Sequence, residues 1–141
     1  MHRTMTRVIV FDASALIAYL KGEPGGDAVA TLLKDNTLMR FAHGLNVAEV
    51  YYNARKASDD TTAQAAIGML VTDGVSIRND LDDRLWREAA TWKAKLLPTP
   101  SFADCFCLAF ALRVSGEVIT CDHSHFDGIA NDSICPVRFI R

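Results

Sequence analysis

The chain has 141 residues, half of them hydrophobic, which is enough for one domain with a sizeable core, and residues 1–141 are read as a single unit. A formal net charge of −2 excludes a global attraction to polyanions, so contact with a nucleic acid has to come from a local patch. Every apolar run is broken before the roughly 20 residues of a membrane span, and the run from Val8 meets Asp12 with no cleavage signature after it, so a cytoplasmic chain without membrane contact is expected.

Residues 1 to 6 read as a polar, frayed start. Val8 to Phe11 is a short apolar, β-branched run of the kind covered on both faces of a sheet, and the Ala/Leu-rich run from Ala13 to Leu20 is helical. Asp12 stands at the turn between them. A carboxylate there either caps the helix or faces the crevice at the carboxyl ends of parallel strands.

Lys21 to Asp27 is a turn cluster, after which Asp27 is expected to cap a short helix to about Lys34. Leu38 to Ala42 reads as the second strand. From Leu45 to Lys56 the pattern is helical, with Leu45, Ala48, Glu49 and Tyr52 as the expected buried stripe and Arg55 and Lys56 at the end that favours cations. Asp59 and Asp60 open another helix, which Asp73-Gly74 ends, and Val75 to Arg78 is the third strand.

Leu81, Leu85, Ala89, Trp92 and Leu96 repeat at helical spacing, giving a long amphipathic helix over 81–97. Arg84, Arg87, Lys93 and Lys95 lie outside that stripe and read as a solvated face. Ser101 is the expected N-cap of a helix to about Ser115 that is apolar nearly all round, as befits a buried element. Val118 to Cys121 is the fourth strand and delivers Asp122, repeating the design of the first; Val137 to Ile140 is the last. Strands separated by helices require crossovers, so the expected fold is α/β, a central, mainly parallel sheet between helical layers.

The four cysteines, Cys105, Cys107, Cys121 and Cys135, fall in expected core elements and read as reduced, buried filling. Tyr51 and Tyr52 are read as packing.

Four carboxylates occupy places where a plain scaffold carries something else: Asp12, Glu49, Asp104 and Asp122. Asp104 is flanked by Phe102, Ala103, Cys105, Phe106 and Cys107, where an uncompensated charge is costly. Singly, each has a capping or helix-dipole explanation. Together, two strand ends and two helix faces converge on one crevice, and four like charges there need a bridging cation. Oxygen-only ligands select a hard ion, Mg2+ or Mn2+, and such a cluster supports hydrolysis of a phosphodiester without a protein nucleophile.

These residues resemble the PIN-domain ribonucleases, in particular the VapC-type toxins of toxin–antitoxin pairs. The matching stretches are Val10 to Leu16, Asn46 to Val50, Ala103-Asp104, and Ile119 to Asp122 with Phe126 after it, in family order over nearly the whole chain. The resemblance implies a three-layer α/β/α sandwich and Mg2+- or Mn2+-dependent endoribonuclease activity. It also implies an RNA substrate, a small antitoxin partner and a homodimer. Asp12, Glu49, Asp104 and Asp122 match the acidic site, and Ser14 and Thr120 match small hydroxyl positions that orient ligands or water. Phe106 and Cys107 stand where similar proteins often carry smaller aliphatics, a variation of the core. Asp127 is expected to be an exposed helix cap, and His123 and His125 loop residues.

Three other readings are set against this one. Cys121, His123 and His125 alternate, but their spacing fits no usual zinc signature. A phosphatase of the haloacid dehalogenase type wants a second Asp two positions after the first, where Ser14 stands. A catalytically silent PIN-like module that binds RNA or protein is disfavoured by the presence of all four acids.

Overall fold

A computed structural model describes residues 6–141 and contains five strands and seven helices among them. The order is β1 (Arg7–Phe11), α1 (Ala13–Lys21), α2 (Gly26–Leu33), β2 (Leu38–His43), α3 (Gly44–Ala57), α4 (Asp60–Thr72), β3 (Ser76–Arg78), α5 (Asp83–Lys95), α6 (Phe102–Arg113), β4 (Glu117–Thr120), α7 (His123–Asn131) and β5 (Val137–Phe139). The strands form one sheet in the order β3-β2-β1-β4-β5, and every pairing is parallel.

β1 is the centre of the sheet because its residues can be buried on both sides. Ile9, Val10 and Phe11 are all fully covered. Alternation sends Ile9 and Phe11 into a core with Leu16, Val29, Leu70 and Ile119, and Val10 into the opposite core with Leu85, Leu108, Phe110, Val118 and Phe126. Helices therefore cover both faces, which is the expected three-layer α/β/α sandwich. No helix of the described residues is long and apolar enough to cross a membrane.

The chain leaves β1 for β2 on one side and later enters β4 on the other. Strand order thus reverses between β1 and β4, and such a reversal opens a crevice beyond the carboxyl ends of the two strands. Asp12 follows β1 directly, and Asp122 follows β4 by one residue.

Several local expectations are corrected. The α2 N-cap is Gly25, at φ +96°, and Asp27 lies within the first turn. A Cβ at Gly25 would stand 3.0 Å from the Ile140 carbonyl oxygen, so glycine there serves both the left-handed backbone and the close approach of the C-terminal segment. α5 is shorter than its leucine repeat, since Asp82 caps it by accepting from the Leu85 amide and leaves Leu81 and Leu97 exposed.

The face of α3 is also reversed. Leu45, Ala48, Glu49 and Tyr52 point outward, whereas Asn46, Val47 and Val50 are buried. Periodicity alone favoured the wrong stripe because the inward face carries a polar Asn and the outward face a Leu, an Ala and a Tyr. Tyr52 is 64% exposed and so does not pack. The histidines expected in a loop begin α7, and Asp127 lies in the middle of that helix, paired with His123, instead of capping it. Phe106 is only partly buried and stacks on His43, with ring centroids 5.7 Å apart. All four thiols are free and buried, as expected.

Candidate active site

Asp12 is 2% exposed, and among the described residues no Lys, Arg or His forms a salt bridge with it. Its Oδ1 accepts from the Ala15 amide at 2.9 Å and the Ser14 hydroxyl at 2.8 Å, while Oδ2 accepts from the Thr120 hydroxyl at 2.5 Å. Ser14 and Thr120 are themselves fixed from behind. The Cys121 amide donates to Ser14 Oγ and the Asp122 amide to Thr120 Oγ1, each at 2.9 Å, so both hydroxyl protons remain directed at Asp12. Even so, burial dominates these hydrogen bonds and, with repulsion from Asp104, pushes the Asp12 carboxyl up to about 6.

Asp104 occupies the third residue of α6 and completes a capping box: Ser101 Oγ accepts from the Asp104 amide, and Asp104 Oδ2 accepts from both the amide and the hydroxyl of Ser101. Asp122 caps α7, its Oδ1 accepting from the His125 amide and the Ser124 hydroxyl. The capping and crevice readings of these acids therefore coexist. Their helices, like α1, direct N-termini at the same place, and the partial positive charge there stabilises the carboxylates.

Glu49 lies on the second turn of α3 and reaches the cluster from its flank. Burial raises its carboxyl above the usual range, Asp104 and Asp122 add to that through repulsion, and His125 opposes it. Asp12, Glu49, Asp104 and Asp122 thus share one mouth, with Ser14 and Thr120 beneath Asp12.

Three participants were not assigned from sequence. His125 Nδ1 lies 2.5 Å from Asp104 Oδ2 and 3.2 Å from Asp122 Oδ2, tying α6 to α7. Its spacing of three from Asp122 on a helix was the available signal. Asn46 is fully buried; its Nδ2 donates to the Ala103 carbonyl oxygen, and its Oδ1 has no hydrogen-bond partner among the described residues. A polar residue three positions before Glu49 marked it. His43 caps α3, accepting from the Leu45 amide at Nδ1 and donating from Nε2 to the Asp80 carbonyl oxygen; nothing local distinguished it.

Among the described residues, no three His, Cys, Asp or Glu side chains are grouped closely enough to form a ready metal cage. The chemistry of the donors nevertheless fits a hard cation, because the mouth offers carboxylate oxygens and Asn46 Oδ1 is a buried oxygen without a hydrogen bond. Among the described residues, Cys121, His123 and His125 form no zinc-like trio.

The profile of the PIN domain matches residues 9–131. No curated protein sequence matches the chain. Among solved structures, VapBC-1 from nontypeable Haemophilus influenzae is similar at 17% identity and a TM-score of 0.70, covering 94% of this chain and 98% of the other. VapBC2 from Rickettsia felis, bound to a DNA fragment from its promoter, is similar at 13% identity and 0.73, with the same coverage. VapC20 of Mycobacterium tuberculosis, a toxin that cleaves the Sarcin-Ricin loop, is similar at 15% identity and 0.66, covering 82% and 91% of the two chains.

Proposed function

The chain belongs to the PIN-domain family, and from that premise we propose that it is a metal-dependent endoribonuclease, with residues 1–141 working as one domain and acting as the cytoplasmic toxin of a toxin–antitoxin pair. The observation that carries this reading is Asp12, buried at the β1/β4 reversal, without an ion pair among the described residues, held by Ser14 and Thr120 and close enough to Asp104 to be repelled by it.

Asp12, Glu49, Asp104 and Asp122 would hold the cation, Mg2+ or Mn2+. When bound, it supplies charge neutralisation and polarisation of a phosphodiester oxygen. Ser14 and Thr120 fix the rotation of the Asp12 carboxylate. His125 ties Asp104 to Asp122. RNA enters from the open side, where Glu49 is exposed.

The partner is a small antitoxin, as the VapBC assemblies among similar folds suggest. An apolar groove of about 350 Å3 between α1, α3 and α4, lined by Ile17, Leu20, Ala54, Ala66 and Met69, suits an amphipathic helix. A homodimer is proposed on the family resemblance.

The test is cleavage of single-stranded RNA by purified protein with and without Mg2+, followed by sequencing of the RNA ends. Metal-dependent cleavage lost in Asp12→Asn and Asp104→Asn is the expected result. Cleavage retained by either variant would refute the assignment of the site.

A further inference from the structure

On the outward face of α3, Leu45, Glu49, Tyr52 and Lys56 follow one another at steps of four, three and four residues, which places them in a single row. Leu45, Tyr52 and Lys56 are exposed, and Lys56 Nζ stands 5.9 Å from the centre of the Tyr52 ring. From Glu49, Tyr52 lies about 4.5 Å and Lys56 about 10 Å further along the helix axis. The row therefore reads outward from the acidic mouth as carboxylate, aromatic ring, ammonium.

We propose that Tyr52 and Lys56 form a nucleotide subsite: the base next to the cleaved phosphodiester stacks on Tyr52, and the following phosphate pairs with Lys56. This deepens the ribonuclease reading and rests on it. Base stacking on an exposed aromatic beside a cation is the usual way proteins hold single-stranded nucleic acid. Arg55, the neighbouring cation, is already engaged with Asp60, whereas Lys56 forms no ion pair among the described residues.

A protein occupant fits this row less well. Covering it would bury the charges of Glu49 and Lys56 in one contact, a desolvation cost with no compensating partner on the same helix face. The groove on α1, α3 and α4 lies around the other side of α3, at Val50, Asn53 and Ala54, and offers a protein helix an apolar surface, whereas the row sets the charges of Glu49 and Lys56 beside Leu45 and Tyr52.

The experiment is fluorescence anisotropy of a labelled, mixed-sequence single-stranded oligoribonucleotide with Asp12→Asn protein in Mg2+ buffer, alongside cleavage by the corresponding proteins with Asp12 intact. Tyr52→Ala is expected to weaken binding by about fivefold or more, and Tyr52→Phe to preserve it. Lys56→Gln is expected to weaken binding and to lower the slope of log affinity against log salt by about 1. An oligonucleotide with abasic sites removes the difference between the parent and Tyr52→Ala. Unchanged binding in Tyr52→Ala, with cleavage intact, overturns the subsite and leaves the ribonuclease reading standing. Binding that depends on Tyr52, without any cleavage by the wild type, supports the subsite and removes the catalytic reading. Loss of binding in step with loss of self-association, seen by size-exclusion chromatography, assigns the row to a second copy and overturns the proposal, and absence of both binding and cleavage overturns both readings.

Discussion

The Thr120 hydroxyl donates to Asp12 Oδ2 at 2.5 Å, across the β1–β4 pair and 108 residues of chain. Thr120 Oγ1 in turn accepts from the Asp122 amide, so one side chain ties the Asp12 carboxylate to the backbone of Asp122. Parallel pairing of Phe11 with Ile119 sets this contact, because it aligns the two strand ends.

Thr120→Val keeps the shape of the side chain and removes that link, leaving Asp12 Oδ2 and the Asp122 amide each short of a partner. A loss of about 1–3 kcal/mol is expected, measured by urea denaturation of the metal-free protein. Thr120→Ser restores both bonds and should recover most of it.

Asp12 has a pH signature. Its folded-state pKa, about 6, lies above the 3.8 of an ordinary aspartate, so the folded protein binds the proton more tightly than the unfolded chain. Stability of the metal-free protein should therefore fall between about pH 4 and pH 6 and then level off. Asp12→Asn lacks this penalty and should be more stable at pH 7 by up to about 3 kcal/mol, the difference closing below about pH 4. Mg2+ should raise the Tm of the wild type and leave that of Asp12→Asn nearly unchanged. Equal responses of the two proteins to Mg2+ would exclude Asp12 as a ligand.

Arg113, at the end of α6, donates to both oxygens of Asp82 at 2.6 and 2.7 Å and to Asp80 at 3.2 Å. Its guanidinium holds the Asp82 carboxyl well below the usual range, with help from the Leu85 amide. A depressed carboxylate stabilises the fold above its unfolded pKa and loses that contribution as pH falls. Arg113→Met should lower the Tm at pH 7, with the gap narrowing below about pH 4 and in about 1 M salt.

Met69 is about half exposed on the rim of the apolar groove. Met69→Glu adds a charge where an antitoxin helix would pack, at little cost to the fold. Growth arrest on expression should persist, and its relief by co-expression of the cognate antitoxin should weaken. Undiminished relief would place the antitoxin elsewhere.

Much of the fold was legible because burial on both faces leaves a strong mark. The β1 run, the α6 helix that is apolar nearly all round, and the order of Asp12, Glu49, Asp104 and Asp122 could be read directly. Asp122 was legible as a carboxylate that follows a strand. α7 was not, because a His-rich start with only Phe126 and Ile129 buried leaves little periodic signal.

The amino-acid order by itself determined which residues were available: a buried central strand, four carboxylates at two strand ends and on two helix faces, and two hydroxyls two residues from Asp12 and Asp122. Only the tertiary structure decided which face of α3 looks outward, which histidine joins Asp104 to Asp122, and that Asn46 is sealed in with a free oxygen. The reason is physical. Local propensity and periodicity act over a few residues and account for the Ser14 and Ala15 bonds to Asp12, whereas the burial that raises its pKa, the repulsion from Asp104 and the bond from Thr120, 108 residues away, come from the packed fold and the parallel pairing of β1 with β4.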